Sequence, residues 1–375
     1  MGQRVGIIGG GQLARMMIAP AVELGIDVRV LAEVPDMAAS LAATAIGDYR
    51  DVDTVLAFAR DVDVVTFDHE HVPQEVLRAL VGAGAAVHPG PDALRFAQDK
   101  LQMRAQLDAL GLPQPEWAPI SSAADLQAFL DAHGGRAVVK TPRGGYDGKG
   151  VRVVTAAGDV DDWLGERAAA DPLLAEELVD FTRELAQQVA RRPSGEMAVY
   201  PVVETVQRDG VCAEVIAPAP HATGRLAPVA AGIGRAIAEG LAVTGMLAVE
   251  LFETADERLL VNELAMRPHN SGHWGQDGAM TGQFEQHLRA VLDLPLGDPA
   301  PRAPWAAMIN ILGGPVSASL GDRLSDALAA HPTVKVHTYG KAPRPGRKVG
   351  HVNAWGDDLD AVVYEARAAA AFFGG

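Results

Sequence analysis

The chain has 375 residues and 48% apolar composition, enough for two or three domains with real cores. A net charge of −16 excludes a general nucleic-acid or membrane-surface binder, so an anionic substrate must be met by a local basic site or a metal. Cys212 is the only cysteine, which excludes an internal disulfide; with no signal-peptide h-region and no apolar run near the roughly 20 residues of a membrane span, a soluble cytosolic protein is expected.

Residues 4–9 (RVGIIG) form a short apolar run ending in Gly9, Gly10 and Gly11, and a stretch with helical spacing follows. Residues 28–33, 43–47, 62–67 and 85–90 read as further strands alternating with helix-like stretches, the pattern of an α/β unit with a parallel sheet. The glycine turn offers amides and a helix dipole to an anion. Glu33 at the end of the second strand imitates the acidic partner of a dinucleotide site, yet the turn is not a clean G-x-G-x-x-G. A phosphate or substrate contact, a nicotinamide cofactor and tight packing alone therefore all stay open. FDHEHV at 67–72 ends a strand with two histidines at i, i+2 and no further metal ligand in reach. Because carboxyl ends of parallel strands are where α/β sheets bind ligands, Glu70 is preferred as a substrate hydrogen-bond acceptor.

After Pro91, the stretch to Gly111 reads as one amphipathic helix, and Pro113, Pro115 and Pro119 mark a linker. Residues 136–141 and 151–155 are predicted strands flanking PRGGYDGKG. That loop joins strands and Lys149 is not followed by Ser or Thr, which excludes a P-loop. It can still fold over phosphates, with the Lys140 ammonium beside them; an ordinary hairpin loop is the alternative. Residues 172–179 form another apolar strand, residues 183–193 and 197–207 an antiparallel meander, and residues 231–243 a helix.

Residues 246–252 and 259–264 read as a hairpin joined by the polar residues 253–258. A turn centred between Asp256 and Glu257 makes Glu250 and Glu263 direct cross-strand partners. Like charges opposed at roughly 5 Å are destabilising unless something positive lies between them. A divalent cation with phosphate oxygens suits such a pair; a solvent-facing hairpin with hydrated glutamates is the bland alternative. Asn262 and Glu263 face opposite ways on a regular strand, so a bend is needed for both to act together. Residues 267–274 then crowd polar, aromatic and cationic groups into a loop. Residues 301–375 form a smaller unit with strands near 306–312, 333–338 and 349–354 and a closing Ala-rich helix. Within it Lys341, Arg344, Arg347 and Lys348 make either a solvated turn or a phosphate clamp.

GGGQLARM at 9–16, FDHEHV at 67–72, VVKTPRGGYDGKG at 138–150, NELAMRPHNSGHW at 262–274 and PGRKVGH at 345–351 together resemble the ATP-grasp ligases. Within them the chain is similar to the carboxyaminoimidazole ribonucleotide synthetases of purine biosynthesis, over essentially its whole length. The resemblance implies an ATP-grasp fold of mixed α/β and α+β class: an N-terminal parallel-sheet domain (1–95), an ATP-grasp domain (96–300) with a mobile lid around 120–190, and a small C-terminal domain (301–375). It implies that ATP, bicarbonate and aminoimidazole ribonucleotide react through carboxyphosphate to give the N-carboxylated ribonucleotide, ADP and phosphate. The enzyme so implied is a homodimer using Mg²⁺, with Mn²⁺ as a substitute, and having neither nucleic-acid nor membrane partners.

By the same resemblance Lys100 and Lys140 contact ATP phosphates, and Gly145, Tyr146, Asp147, Gly148, Lys149, Gly150 and Val151 cover them. Glu176, Glu177, Leu178, Val179 and Glu184 hold adenine and ribose, while Glu250 and Glu263 ligate the metal with Asn262 beside them. Arg267, His269, Asn270 and Ser271 hold bicarbonate or carboxyphosphate. Gln12, Leu13, Glu70, Tyr146, Asn270, Lys341, Arg347 and Lys348 bind the ribonucleotide, Lys341 also counting among the catalytic residues. Two positions depart from the pattern: Lys100 stands where arginine is common, and Gln207 where a histidine is usual. Rival readings are another ATP-grasp formyl- or carboxyl-transfer ligase and a nicotinamide-dependent oxidoreductase using the Gly9 turn and Glu33.

Overall fold

A computed structural model describes residues 2–144, 150–166, 171–222, 224–314 and 320–374. The lid residues Gly145, Tyr146, Asp147, Gly148 and Lys149 lie outside the described residues. Four of the expected N-terminal strands form a parallel sheet in the order Ala43–Ile46, Asp27–Ala32, Arg4–Ile8, Val64–Phe67. The fifth, expected at 85–90, is reduced to a single bridge between Val65 and Val87; Pro89 has no N–H with which to continue a ladder.

The expected single helix after Pro91 is two helices, Pro91–Gln98 and Lys100–Ala109. Asp99 separates them with an extended backbone, and its carboxylate accepts the N–H groups of Leu101 (3.1 Å) and Gln102 (3.2 Å). An aspartate at this position satisfies orphan helix amides, so it starts a new helix as readily as it ends the old one. The break puts Lys100 at the first position of the second helix, with Arg104 one turn further on the same face.

A small antiparallel sheet follows, in the order Trp117–Ile120, Leu173–Glu177, Ala137–Lys140, Val151–Val154, packed on the helix Ala123–Ala132. Pro119, expected in a linker, sits in its edge strand, where a missing N–H costs no ladder bond. The remaining strands make one sheet of nine. Its order is Leu259–Ala265, Gly245–Thr254, Phe181–Arg191, Val203–Arg208, Val211–Ala217, Trp305–Leu312, Lys348–Gly356, Lys335–Thr338, with Met197–Val199 also on Phe181–Arg191. The C-terminal strands therefore extend the central sheet: Trp305–Leu312 pairs antiparallel with Val211–Ala217, for example Glu214 opposite Ile309. This continuity brings the basic loop before Lys348 to the N-terminal unit, where Lys341 Nζ donates to Gln12 Oε1 at 2.6 Å.

The carboxylate hairpin reaches its expected register by an unexpected route. Thr254 N–H bonds Arg258 C=O and Glu253 faces Leu259, so the turn is centred on Asp256 rather than between Asp256 and Glu257. Continued regularly, that count would set Asn262 against Glu250. A bulge intervenes: Leu251 faces Val261 while Glu250 faces Glu263, leaving Asn262 as the extra residue. One inserted residue rotates the strand's facing and local twist, so the bend required for Asn262 and Glu263 to serve one site is this bulge.

Candidate active site

Lys140 ends its strand nearly buried, with Nζ 2.7 Å from Glu176 Oε2 and 3.2 Å from Asn262 Oδ1. Lys100 Nζ, from the helix start, lies 3.0 Å from Glu263 Oε1. Two ammonium groups thus converge on the bulge from different elements. The opposite wall is Glu250, whose carboxyl is pushed up by burial first, then by the facing Glu263 carboxylate and by Glu184. Two opposed carboxylates, one of them raised by the other, form the donor set that a hard divalent cation completes with phosphate oxygens. Among the described residues no group of three His, Cys, Asp or Glu gathers for a protein-only cage.

Glu176 accepts from Arg104 Nε at 2.7 Å as well as from Lys140, and these two cations outweigh burial and hold its pKa low. Its carboxylate is paired with protein cations, which leaves its backbone as the part of the residue able to meet adenine or ribose. Glu177 Oε1 accepts the Glu116 N–H at 3.1 Å, and the strand ends there, leaving Leu178 and Val179 as half-buried connecting residues. Glu184, on the long strand Phe181–Arg191, is raised by burial while the Gln207 amide bonds it and acts the other way. Gln207 thus touches a residue of the expected nucleotide set, although its own position breaks the pattern. Gly150 has φ of +71°, and Val151, opposite Lys140, is partly exposed.

The loop after the hairpin is tied to the core through a buried amide. Gln283, fully buried, accepts the His269 N–H at 2.9 Å and donates to the His269 carbonyl at 2.8 Å. His269 Nδ1 meets Ser271 Oγ at 2.9 Å and its Nε2 lies 3.4 Å from Glu250 Oε1. Burial, then Arg267 and Lys348, push His269 down to about 3, so it is a neutral imidazole beside the carboxylate pair. Asn270 and Ser271 are buried, and Asn310 Nδ2 donates to Asn270 Oδ1 at 3.1 Å. Arg267 Nε donates to Glu70 Oε2 at 2.6 Å, and the other Glu70 oxygen accepts the Met266 N–H at 3.3 Å. Each oxygen of Glu70 thus accepts one hydrogen bond from the chain, and the residue also holds Arg267.

The glycine turn also has an internal partner. Asp68 Oδ1 accepts the Ala14 N–H at 2.7 Å and its carboxylate also bonds the Gly11 amide. A Cβ on Gly11 would lie 2.0 Å from Asp68 Oδ2. The chain's own carboxylate thus bonds two amides of the helix N-terminus. Glu33, the acidic residue of the nicotinamide reading, is exposed and 3.6 Å from Arg50. Leu13 is buried in the N-terminal core, so its side chain packs and only its backbone can meet a substrate. Gln12 and Lys341 stand together as noted. Arg347 Nη1 bonds the Ala342 carbonyl at 3.2 Å, and Lys348 acts electrostatically on Glu250, His269 and Cys212 from the start of its strand. Arg104, Asp99, Asp68 and Gln283 were missed in the sequence: Arg104, Asp68 and Gln283 work through partners elsewhere in the chain, and Asp99 as a cap inside an unbroken amphipathic pattern.

Family models match three successive segments: a ribonucleotide synthetase preATP-grasp domain at 2–98, an ATP-grasp domain at 105–284, and a phosphoribosylaminoimidazole carboxylase C-terminal domain at 306–365. The chain is 49% identical over 371 residues to an N5-carboxyaminoimidazole ribonucleotide synthase of Mycobacterium bovis, covering 98% of this chain and 86% of that one. It superposes on the N5-carboxyaminoimidazole ribonucleotide synthetase of Thermus thermophilus with a TM-score of 0.88 at 37% identity, covering 99% and 98% of the two chains. A synthase from Aspergillus clavatus, solved with ADP and 5-aminoimidazole ribonucleotide, gives 0.88 at 29% identity over 99% and 98%.

Proposed function

The chain belongs to the N5-carboxyaminoimidazole ribonucleotide synthase family of ATP-grasp enzymes, and from that premise we propose how its residues carry out ATP-dependent carboxylation of 5-aminoimidazole ribonucleotide. The exocyclic amine receives the carboxyl group of bicarbonate, and ATP is cleaved to ADP and phosphate. The observation that carries the reading is the convergence of Lys100, Lys140, Asn262 and the opposed pair Glu250 and Glu263 on one bulge.

Bicarbonate oxygen attacks the γ-phosphorus, the bond to the ADP oxygen breaks, and carboxyphosphate results. The chain's task in this step is positioning and charge compensation. Lys100 and Lys140 face the nucleotide phosphates with their ammonium groups. Mg²⁺, held by Glu250 and Glu263, supplies charge neutralisation on the phosphoryl oxygens when bound. The Arg267 guanidinium, held by Glu70, with neutral His269, Asn270 and Ser271, orients bicarbonate and then carboxyphosphate. A neutral His269 donates a hydrogen bond without adding a proton that would hasten hydrolysis. The ribonucleotide amine then takes the carbon, phosphate leaves, and the amine proton is lost; Gln12, Lys341, Arg347 and Lys348 hold the ribonucleotide during this transfer. The lid sheet, through Gly150 and Val151, excludes water that would waste the intermediate.

A reducing cytosolic setting agrees with the single buried Cys212, whose thiol burial pushes up to about 12. The expected homodimer is checked by sedimentation. The reaction is tested by ADP release from Mg-ATP with bicarbonate, with and without aminoimidazole ribonucleotide. Stimulation by the ribonucleotide is expected, and ADP release indifferent to it contradicts the assignment.

A further inference from the structure

We propose that Arg104 is a positioning residue that keeps the Lys140 ammonium available to nucleotide phosphate by satisfying the Glu176 carboxylate from the other side. The proposal rests on the nucleotide-site reading above and deepens it. Arg104 has no exposed surface. Its Nε donates to Glu176 Oε1 at 2.7 Å, while Glu176 Oε2 meets Lys140 Nζ at the same distance. Its remaining nitrogens reach the Val261 carbonyl at 2.6 Å and the Asn262 carbonyl at 2.8 Å. One guanidinium therefore ties the helix Lys100–Ala109 to the lid strand Leu173–Glu177 and to the bulge of Leu259–Ala265.

The charge count gives this tie a role beyond packing. Lys140 and Glu176 alone make a neutral pair in a low-dielectric site, and such an ammonium is spent on its carboxylate. With Arg104 present, two cations share one carboxylate and the cluster keeps one net positive charge facing the bulge. The carbonyl bonds add a second effect, because they fix the residue whose Oδ1 accepts from Lys140. A planar fork performs both tasks at once; a lysine would keep the first, the charge, and give up only the second.

The test is charge rescue. Arg104→Met is expected to raise the ATP KM at least tenfold while the ribonucleotide KM changes less than twofold. Adding Glu176→Gln to that variant restores the single positive charge and is expected to recover at least threefold of the loss, although it removes a further native group. A double variant no better than the single one, or a single variant with unchanged ATP KM, overturns the proposal. Should Arg104→Met fail to fold, Arg104→Lys keeps the charge and gives up the fork; an ATP KM within fivefold of the parent supports the proposal, and a larger rise contradicts it. Failure of these comparisons in an enzyme that still shows ribonucleotide-stimulated ADP release removes Arg104's role alone, whereas absence of that stimulation in the parent removes the underlying reading.

Discussion

Lys100 Nζ lies 3.0 Å from Glu263 Oε1, so a cation expected to meet phosphate and a carboxylate expected to meet metal are in contact with each other. Such a pair opens at little cost when a phosphate and a divalent cation arrive together, because each partner exchanges one opposite charge for another. Glu263→Gln removes half of the metal's protein donor set and leaves the fold's register intact. A loss of about a hundredfold or more in ADP release is expected, by analogy with removing one preorganised charge-stabilising group. The rate is read at saturating Mg²⁺, with circular dichroism to check that the hairpin persists; an unchanged rate excludes Glu263 as a metal ligand.

Gly11 is required by a close approach. A methyl group at this position would stand 2.0 Å from Asp68 Oδ2, and Asp68 is what neutralises the amides of the first helix turn. Gly11→Ala is expected to displace that carboxylate, lower stability by about 1–3 kcal/mol, and raise the ribonucleotide KM through the shift of Gln12. Urea unfolding and substrate titration read the two effects separately.

Lys341 donates to Gln12 Oε1 and closes the C-terminal loop onto the N-terminal unit. Lys341→Met is expected to raise the ribonucleotide KM about tenfold or more, the loss of a charge-assisted contact, with the ATP KM moving less than twofold. Equal changes in both constants would place Lys341 outside the ribonucleotide site.

Acid sensitivity follows from buried histidines. Burial pushes His287 down to about 3, and its ring is fixed by Thr66 Oγ1 at 2.8 Å and the Met246 N–H at 3.1 Å. The unfolded chain binds this proton near pH 6.5 and the folded chain does not, so His287 contributes stability that is present above pH 6.5. That contribution is lost as pH falls toward 3, at about 1.4 kcal/mol per pH unit at most. His69 and His269, lowered to about 4 and about 3, act in the same direction. Asp68 and Glu250, raised by burial, act in the opposite direction. His287→Gln isolates one group: its unfolding midpoint is expected to fall less than the parent's between pH 7 and pH 5. An equal fall in both proteins contradicts the linkage.

Much of the architecture was legible because local patterns and global fold agree. The alternation of apolar runs gave the parallel sheet, and equal spacing about a polar turn set Glu250 against Glu263. That second inference reached the right pairing from a turn centre displaced by half a residue, and the bulge at Asn262 supplied the difference. A bulge has no periodic signature, so it was visible only as the conflict between the facing of Asn262 and of Glu263. The break at Asp99 was hidden for a related reason: the amphipathic pattern runs through it, and only the side-chain cap shows that the chain turns there. Glu70 and Glu176 were recognised as belonging to the site, but carboxylates read from sequence carry no record of their partners. Arg267 and Arg104, distant in the chain, each bond one oxygen of these carboxylates.

The central claim is that carbon from bicarbonate becomes bonded to the ribonucleotide amine at the expense of ATP. Carbon-13-labelled bicarbonate, Mg-ATP and aminoimidazole ribonucleotide are mixed with the enzyme, and the labelled carbamate is followed by NMR alongside ADP. A carbamate resonance growing in equal proportion to ADP, and only when all three substrates are present, is the expected result. ADP formation with no label on the ribonucleotide would contradict it.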